Sequence, residues 1–278
     1  MNGILTIAKL TLYEARQRRI LLTMLMGGTA FVILFGIGFY FIHKDVVQNE
    51  RVSFIERQTL LNFFIMAGLY AINFMSIMTA VLMSIDTLSG EISSGVMQTL
   101  AAKPIHRSSI VIGKWLAHAL VLAGYLLLLS GGILTVARAL SGITPPNVPA
   151  GIFFIYVGGV VVLTLSVAGG TRLSTIANGV VAFGLFGLAF VGGWIEQIGS
   201  MTGNTVTRQI GTIVSLFMPS DSMWRLAAWY LQPSISRDVQ ATPFSSGSVP
   251  SPAMVVWTFG YILVALMVGL WMFRRRGL

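Results

Sequence analysis

Between two long apolar runs the chain reads SIDTLSGEISSGVMQTLAAKPIHRSSI, Ser84 to Ile110. Asp86 and Glu91 stand near its start and Lys103, His106 and Arg107 near its end, with Gly90 just before the second acid, Gly95 shortly after it and Pro104 among the bases. The run before it, Leu60–Ile85, and the run after it, Ser109–Ala137, each supply the roughly 20 apolar residues that a helix needs to cross a bilayer. A short charged insert between two such runs reads as a connection exposed on one face of a membrane. It marks where two spans end, and the other spans can be counted outward from it.

Four further runs have the same character: Ile20–Ile42, Ala150–Thr171, Thr175–Ile198 and Ala253–Phe273. Strands of a β-barrel would be about ten residues long and alternate in polarity, which these runs do not. Composition agrees. The 278 residues are 55% hydrophobic and 10% charged, with a mean hydropathy of +0.82. A soluble domain carries roughly a quarter charged residues, so this chain cannot cover itself with polar surface. The expected fold is an all-α membrane protein, one domain over residues 1–278 with six transmembrane helices. The first run follows a polar lead containing Glu14 and has no small-x-small cleavage site, so it reads as a retained anchor rather than a signal peptide. Cysteine is absent, which excludes disulfides and thiolate metal sites.

A net charge of +9 is compatible with nucleic-acid binding. Basic residues at one set of span ends produce the same excess, and no nucleic-acid partner is expected. With the N-terminus inside, eleven Lys and Arg residues lie on the inner side (Lys9, Arg16, Arg18, Arg19, Lys103, Arg107, Lys114, Arg172 and Arg274–Arg276). Seven lie outside (Lys44, Arg51, Arg57, Arg138, Arg208, Arg225 and Arg237), along with the acids Glu196 and Asp221. Loop 86–108 is then cytoplasmic, as are both termini. The lead NGILTIAKLTLYEARQRR places Ile4, Ala8, Leu12 and Ala15 on one helical stripe, which suits a helix lying in the inner interface; packing of a soluble helix on a partner is the alternative. The segment 199–252 lies outside. Its first half, IGTIVSLFMPSDSMWRLAAWYLQP, is broken by Pro219 and Asp221. Trp224, Trp229 and Tyr230 suit either the outer headgroup level or a re-entrant element packed on the spans. Its second half is rich in Ser and Pro and reads as an irregular connection.

The chemistry of an enzyme is missing. The histidines are His43, His106 and His118, with no HExxH pattern and no metal-ligand spacing, so neither a catalytic residue nor a metal site is expected. His118 falls inside the third span, where an imidazole bonded to a neighbouring helix is favoured over a proton relay. The carboxylates fall at span ends or in loops rather than deep in the bilayer, unlike those of proton-coupled carriers. Gly113-Lys114 is followed by Trp115 and lacks the upstream glycine of a phosphate-cradling loop. The paired glycines at Gly131, Gly158, Gly169 and Gly192, and Ser166-x-x-x-Gly170, allow close helix approach, within the chain or between copies. Asn62, Asn73 and Asn178 either line a polar path or bond across helices.

The series Glu91, Gly95, Leu100, Pro104, Ile105 and Arg107, followed by Gly113-Lys114, resembles the segment between the second and third spans of type-2 ABC exporter permeases. There the pattern is E-x-x-x-G, a leucine, a basic-or-Ser-Pro-Ile/Val element, an arginine, and G-K-x-x-A. The interfacial N-terminal helix, the six spans and the large segment before the last span match as well. The resemblance implies a cytoplasmic coupling helix that docks on a separate P-loop ATPase subunit, present in two copies. Asp86, Gly90, Glu91, Gly95, Leu100, Lys103, Pro104, Ile105 and Arg107 would carry that contact, with the exposed acids and bases gripped by the partner. Gly90 and Gly95 would permit turns flanking the helix, and Pro104 would keep it from running into the third span. ATP and magnesium would sit on the ATPase, with no cofactor on this chain.

The resemblance further implies that a second copy, or a related permease, faces this one. Between them would lie a substrate path lined by Asn62, Asn73, Phe74, Asn178, Phe183 and Phe186. Accessory extracytoplasmic proteins and membrane lipids complete the implied partners, in the inner membrane of a prokaryote. The expected function is the permease subunit of an ATP-driven exporter. An ATP-independent carrier or lipid scramblase, and a membrane scaffold, are the alternatives.

Overall fold

Each apolar run forms a helix whose ends differ from those of the run by a few residues. The computed structural model describes residues 3–48, 52–101, 106–233 and 248–276. Its helices are α1 (Gly3–Gln17), α2 (Arg19–Gln48), α3 (Phe54–Ser84), α4 (Ser89–Ser93), α5 (Val96–Ala101), α6 (Arg107–Ser141), α7 (Val148–Gly169), α8 (Thr175–Thr202), α9 (Thr205–Phe217), α10 (Ser220–Leu231) and α11 (Pro252–Arg274). No strand occurs among the described residues. Six helices are long and apolar enough to cross a membrane: α2, α3, α6, α7, α8 and α11. The expected bounds Ile20–Ile42 widen to a helix of 30 residues because His43, Lys44 and Asp45 continue it. At 1.5 Å per residue that helix is about 45 Å long, so its ends pass beyond a hydrocarbon core of about 30 Å.

Local chemistry sets the helix ends. Ser53 and Glu56 form a reciprocal capping box at the start of α3, each side chain accepting the other residue's backbone N–H. Pro149 occupies the first turn of α7, where its missing donor costs nothing. Gly203, at φ +67°, closes α8, and the Asn204 side chain then accepts from the Val206 and Thr207 amides to open α9.

The helix α7 is central, packed by α3, α6, α10 and α11, while α6 carries α1, α2 and α3. Two apolar clusters fill the bundle. One, nearer the end that bears the N-terminus, contains Val81, Leu88, Met97, Ile110 and Val161. The other, towards the far end, contains Phe39, Leu61, Leu129, Trp224 and Leu231. The outermost spans are thinly covered: α2 buries only Gly28, Phe39 and Val46. Between its charged ends the remaining surface is mostly apolar and suited to lipid. The helix α1 lies against α6 through Ile7, Ala8, Thr11 and Ala15, leaving Leu5, Leu10 and Tyr13 exposed beside Lys9 and Arg16. It therefore presents an apolar-and-cationic outer face as well as a packed one.

The segment after α8 does not lie flat. Helix α9 folds back along α8, the chain turns at Met218–Pro219, and α10 returns against α7, α8 and α3. Trp224 is buried and meets the Tyr70 ring edge-on at 5.0 Å, and Tyr230 stacks on Phe154 at 5.6 Å. These aromatics face the bundle, so the stretch packs on the spans. A Cβ added to Gly158 would meet the Ser220 carbonyl. Gly158 is ten residues into α7, so the turn sits about 15 Å down from that helix's far end.

The paired glycines serve this packing. Gly159 faces Leu122, Gly192 faces Val214, and Gly193 faces the Asp221 carboxylate with no room for a Cβ. Gly193→Leu is therefore expected to unseat α10 and to destabilise the fold by about 1–3 kcal/mol, the usual range for overpacking. Gly187→Leu, on the same helix with open space around it, leaves stability unchanged. Thermal unfolding of both variants in detergent checks the difference.

Candidate functional site

The stretch quoted first begins inside the bundle. The hydroxyls of Ser84, Thr87 and Ser89 donate to the carbonyls of Ala80, Met83 and Ile85, so the chain can turn while these side chains stay buried. Helix α4 follows, then Gly95 at φ +77°, a left-handed turn that a side chain would strain, and then α5. Leu88 and Met97 are fully buried and pin the two short helices to the core. Gly90 does not flank the helix as expected: it lies within α4, where its bare face is filled by the Asp86 carboxylate.

Glu91 points inward, and Asp86 is half-exposed. Glu91 forms an ion pair with Lys114 of α6, and the two side chains are only 12% and 4% exposed. Asp86 lies 3.7 Å from Arg18 and accepts from the Thr175 hydroxyl at 3.1 Å. Arg18 in turn binds Glu14 of α1. Burial alone would raise the Glu14 carboxyl, but the hydrogen bond and charge of Arg18, with Lys114 nearby, hold it below the usual carboxylate range. The Ser89 and Thr175 hydroxyls meet at 2.9 Å. His118 donates from Nδ1 to the Lys114 carbonyl at 2.7 Å, and its Nε2 pairs with the Thr87 hydroxyl at 3.0 Å. Five elements, α1, α3, α4, α6 and α8, thus converge on one polar knot.

Gly113-Lys114 has a structural meaning here. A Cβ on Gly113 would strike the Ile4 carbonyl and Ile7, so the glycine admits α1, and the next residue supplies the partner of Glu91. Among the described residues of this stretch, Ser93, Ser94, Val96, Gln98, Thr99 and His106 are exposed, the first five forming the tip of α4–α5. Arg107 is also committed, donating to the Arg276 carbonyl at 2.7 Å, while Arg276 donates to the Thr171 carbonyl at 2.5 Å. This closes α11 onto α6 and α7. Leu100 lies in α5; Lys103, Pro104 and Ile105 lie outside the described residues.

The expected path residues fall into separate places. Asn178 is buried and donates to the Ser166 and Ile85 carbonyls at 2.8 and 3.3 Å, stapling α8 to α7 and to the end of α3. Asn62 donates to the Gln58 carbonyl of its own helix and lines a cavity of about 400 Å³ with Ser141 and Pro233 at the far end. Asn73 is buried. Phe74 and Phe186 do meet, at 5.9 Å between ring centres, with Phe74 exposed. Phe183 is partly buried against the core.

A second polar centre lies where no charge was expected to be buried. Arg225 of α10 reaches Glu196 of α8 at 2.6 Å and Asp221, one turn back, at 3.2 Å. Its Nη2 donates to the Ser215 and Ser222 hydroxyls at 2.9 and 3.0 Å, and Ser248 donates to Glu196 at 2.8 Å. These side chains are buried rather than exposed, because α8 and the α9–α10 hairpin enclose them. The i,i+4 spacing of Asp221 and Arg225 was visible in the sequence; the approach of Glu196 was not.

A family model for ABC-2 family transporter proteins matches residues 5–278 of the chain. No curated protein matches it.

Removing one member of a buried ion pair strands the other, at a typical cost of about 3–5 kcal/mol. Glu91→Gln and Lys114→Met are each expected to be strongly destabilising, whereas the double variant recovers most of the loss. A double-mutant cycle on unfolding midpoints measures it; additive effects would show that the two side chains are not coupled.

Proposed function

The chain belongs to the ABC-2 family of transporter proteins and is a multi-pass, non-catalytic permease subunit of an ABC transporter that works with an ATPase subunit; from this we propose how the subunit is driven. The ATPase is a separate polypeptide carrying ATP and magnesium, and two copies of it serve two permease chains. It docks on the tip of α4–α5, at Ser93, Ser94, Val96, Gln98 and Thr99. Its closure on ATP pushes the tip, and the Glu91–Lys114 pair passes that displacement to α6. The end of the bundle bearing α1, Lys114 and Arg276 faces the cytoplasm of a prokaryote, and the direction of transport is export.

The observation that carries this reading is a division within one loop. Its buried half is bonded to Arg18, α6 and α8, while the exposed hydroxyls of Ser93, Ser94 and Thr99, among the described residues, donate to carbonyls of their own short helices. A loop that served only to end two spans would not need a buried charge pair to hold it at a fixed angle. The orientation rests on the crowding of Lys and Arg at this end. The sparse polarity of the bundle suits an amphiphilic cargo.

The test is co-purification. With the chain tagged and expressed beside its genomic neighbours, a P-loop ATPase is expected to co-elute in mild detergent. Val96→Asp with Gln98→Asp should weaken that association at least about tenfold, equivalent to about 1.4 kcal/mol, without moving the unfolding midpoint. Unchanged co-elution would place the contact elsewhere, and a well-folded chain that brings down no ATPase would contradict the proposal.

A further inference from the structure

A groove of about 530 Å³ opens between α2, α3 and α6, lined by Arg19, Met24, Gly27, Phe74, Met78 and Leu82 among others. Its walls are apolar by construction. The hydroxyls that reach it are turned away onto backbone carbonyls: Thr23 donates to Arg19 at 3.0 Å, Thr79 to Met75 at 2.8 Å, and Tyr125 to Met24 at 3.4 Å. One charge remains, the exposed guanidinium of Arg19 at the mouth, and no carboxylate pairs with it among the described residues. Its neighbour Arg18 is already committed to Glu14 and Asp86.

Length identifies the occupant. The groove runs from Arg19 to Gly27 on α2 and from Leu82 to Phe74 on the antiparallel α3. Eight residues of rise give about 12 Å on either wall. One leaflet of a hydrocarbon core about 30 Å thick offers about 15 Å of acyl chain. An apolar slot of that depth, starting at the end of a span and topped by a cation, has the dimensions of one lipid tail below one anionic headgroup. A guanidinium also matches a phosphate geometrically, with two parallel N–H donors.

The geometry points to a binding site for an anionic phospholipid in the leaflet at the N-terminal end of the bundle, with one acyl chain along α2 and α3 and the phosphate on Arg19. The thin packing of α2 is then completed by lipid rather than by protein. Because the site touches α2, α3 and α6 together, the lipid sets how α2 stands against the rest of the bundle. The inference uses only the membrane-spanning character of the chain and is independent of the ATPase contact.

Native mass spectrometry of the purified full chain, released from micelles supplemented with dioleoylphosphatidylglycerol or dioleoylphosphatidylcholine, reads the site directly. The wild-type chain should retain the anionic lipid about tenfold better than the zwitterionic one. Arg19→Gln should bring the two to the same level. Gly27→Phe, whose side chain enters space in which a Cβ meets nothing within 4 Å, should lose both, and Met78→Phe serves as a second groove-filling variant should the first fail to fold. Arg16→Gln, an exposed cation on α1 away from the groove, should change nothing. Equal retention of the two lipids by the wild type, undiminished retention by a folded groove-filled variant, or an Arg16→Gln effect as large as that of Arg19→Gln would each overturn the assignment.

Discussion

The ion pair between Glu91 and Lys114 decides how the N-terminal end of this molecule is arranged. Both side chains are removed from water, so neither is tolerable without the other. Glu91 sits on a helix of five residues, too short to hold itself together. Lys114 sits two turns into a span of 35 residues that carries α1, α2 and α3. The pair therefore gives a marginal helix the rigidity of a long one. Leu88, Met97 and the Asp86–Arg18 contact act in the same direction, but they are apolar plugs or half-exposed charges, and neither kind fixes an angle as a buried pair does.

The far end solves a similar problem. In lipid there is no hydrophobic drive to press one span against another, so packing of small residues and bonds between polar groups must suffice. The α9–α10 hairpin is held by glycines that bring backbones close and by Arg225, which gathers Glu196, Asp221 and two serine hydroxyls. The two ionic centres are separate: one holds the N-terminal end, and the other starts at Asp221, near the level of Gly158 midway along α7, and runs towards the far end. Between them α7 touches α3, α6, α10 and α11, so a displacement at one end meets a continuous packed column rather than a soft interior.

Much of the fold was legible because lipid imposes long apolar runs, and six of them stand out in the sequence. Their ends were less legible. Residues such as His43 and Lys44 extend a helix into water without altering its apolar core. The candidate site was half legible. Gly95 and the G-K element could be named, yet Glu91 read as an exposed handle. Its partner lies 23 residues away, in a dipeptide read as failing the pattern of a phosphate-cradling loop and as the last part of the family motif. Glu196, Asp221 and Arg225 read as outer charges for the same reason. Whether a charge is buried depends on what meets it in space, and an interrupted stretch such as SLFMPSDSMWRL does not announce which helix it will lie against. Asn178 shows the converse, an amide read as either lining a path or bonding across helices, and it staples three elements.

Whether the loop and the bundle move as one body can be read from a single distance. The chain has no cysteine, so spin labels can be placed cleanly at Gln98 on the exposed tip and at Leu120 on the exposed face of α6. Pulsed electron resonance on the complex with its ATPase, with and without nucleotide, measures their separation. The account predicts a narrow distribution that nucleotide leaves in place in the wild type, and one that broadens or shifts with nucleotide when Glu91→Gln and Lys114→Met are combined. A wild-type tip that moves relative to α6 when ATP binds, or a double variant as rigid as the wild type, would contradict it.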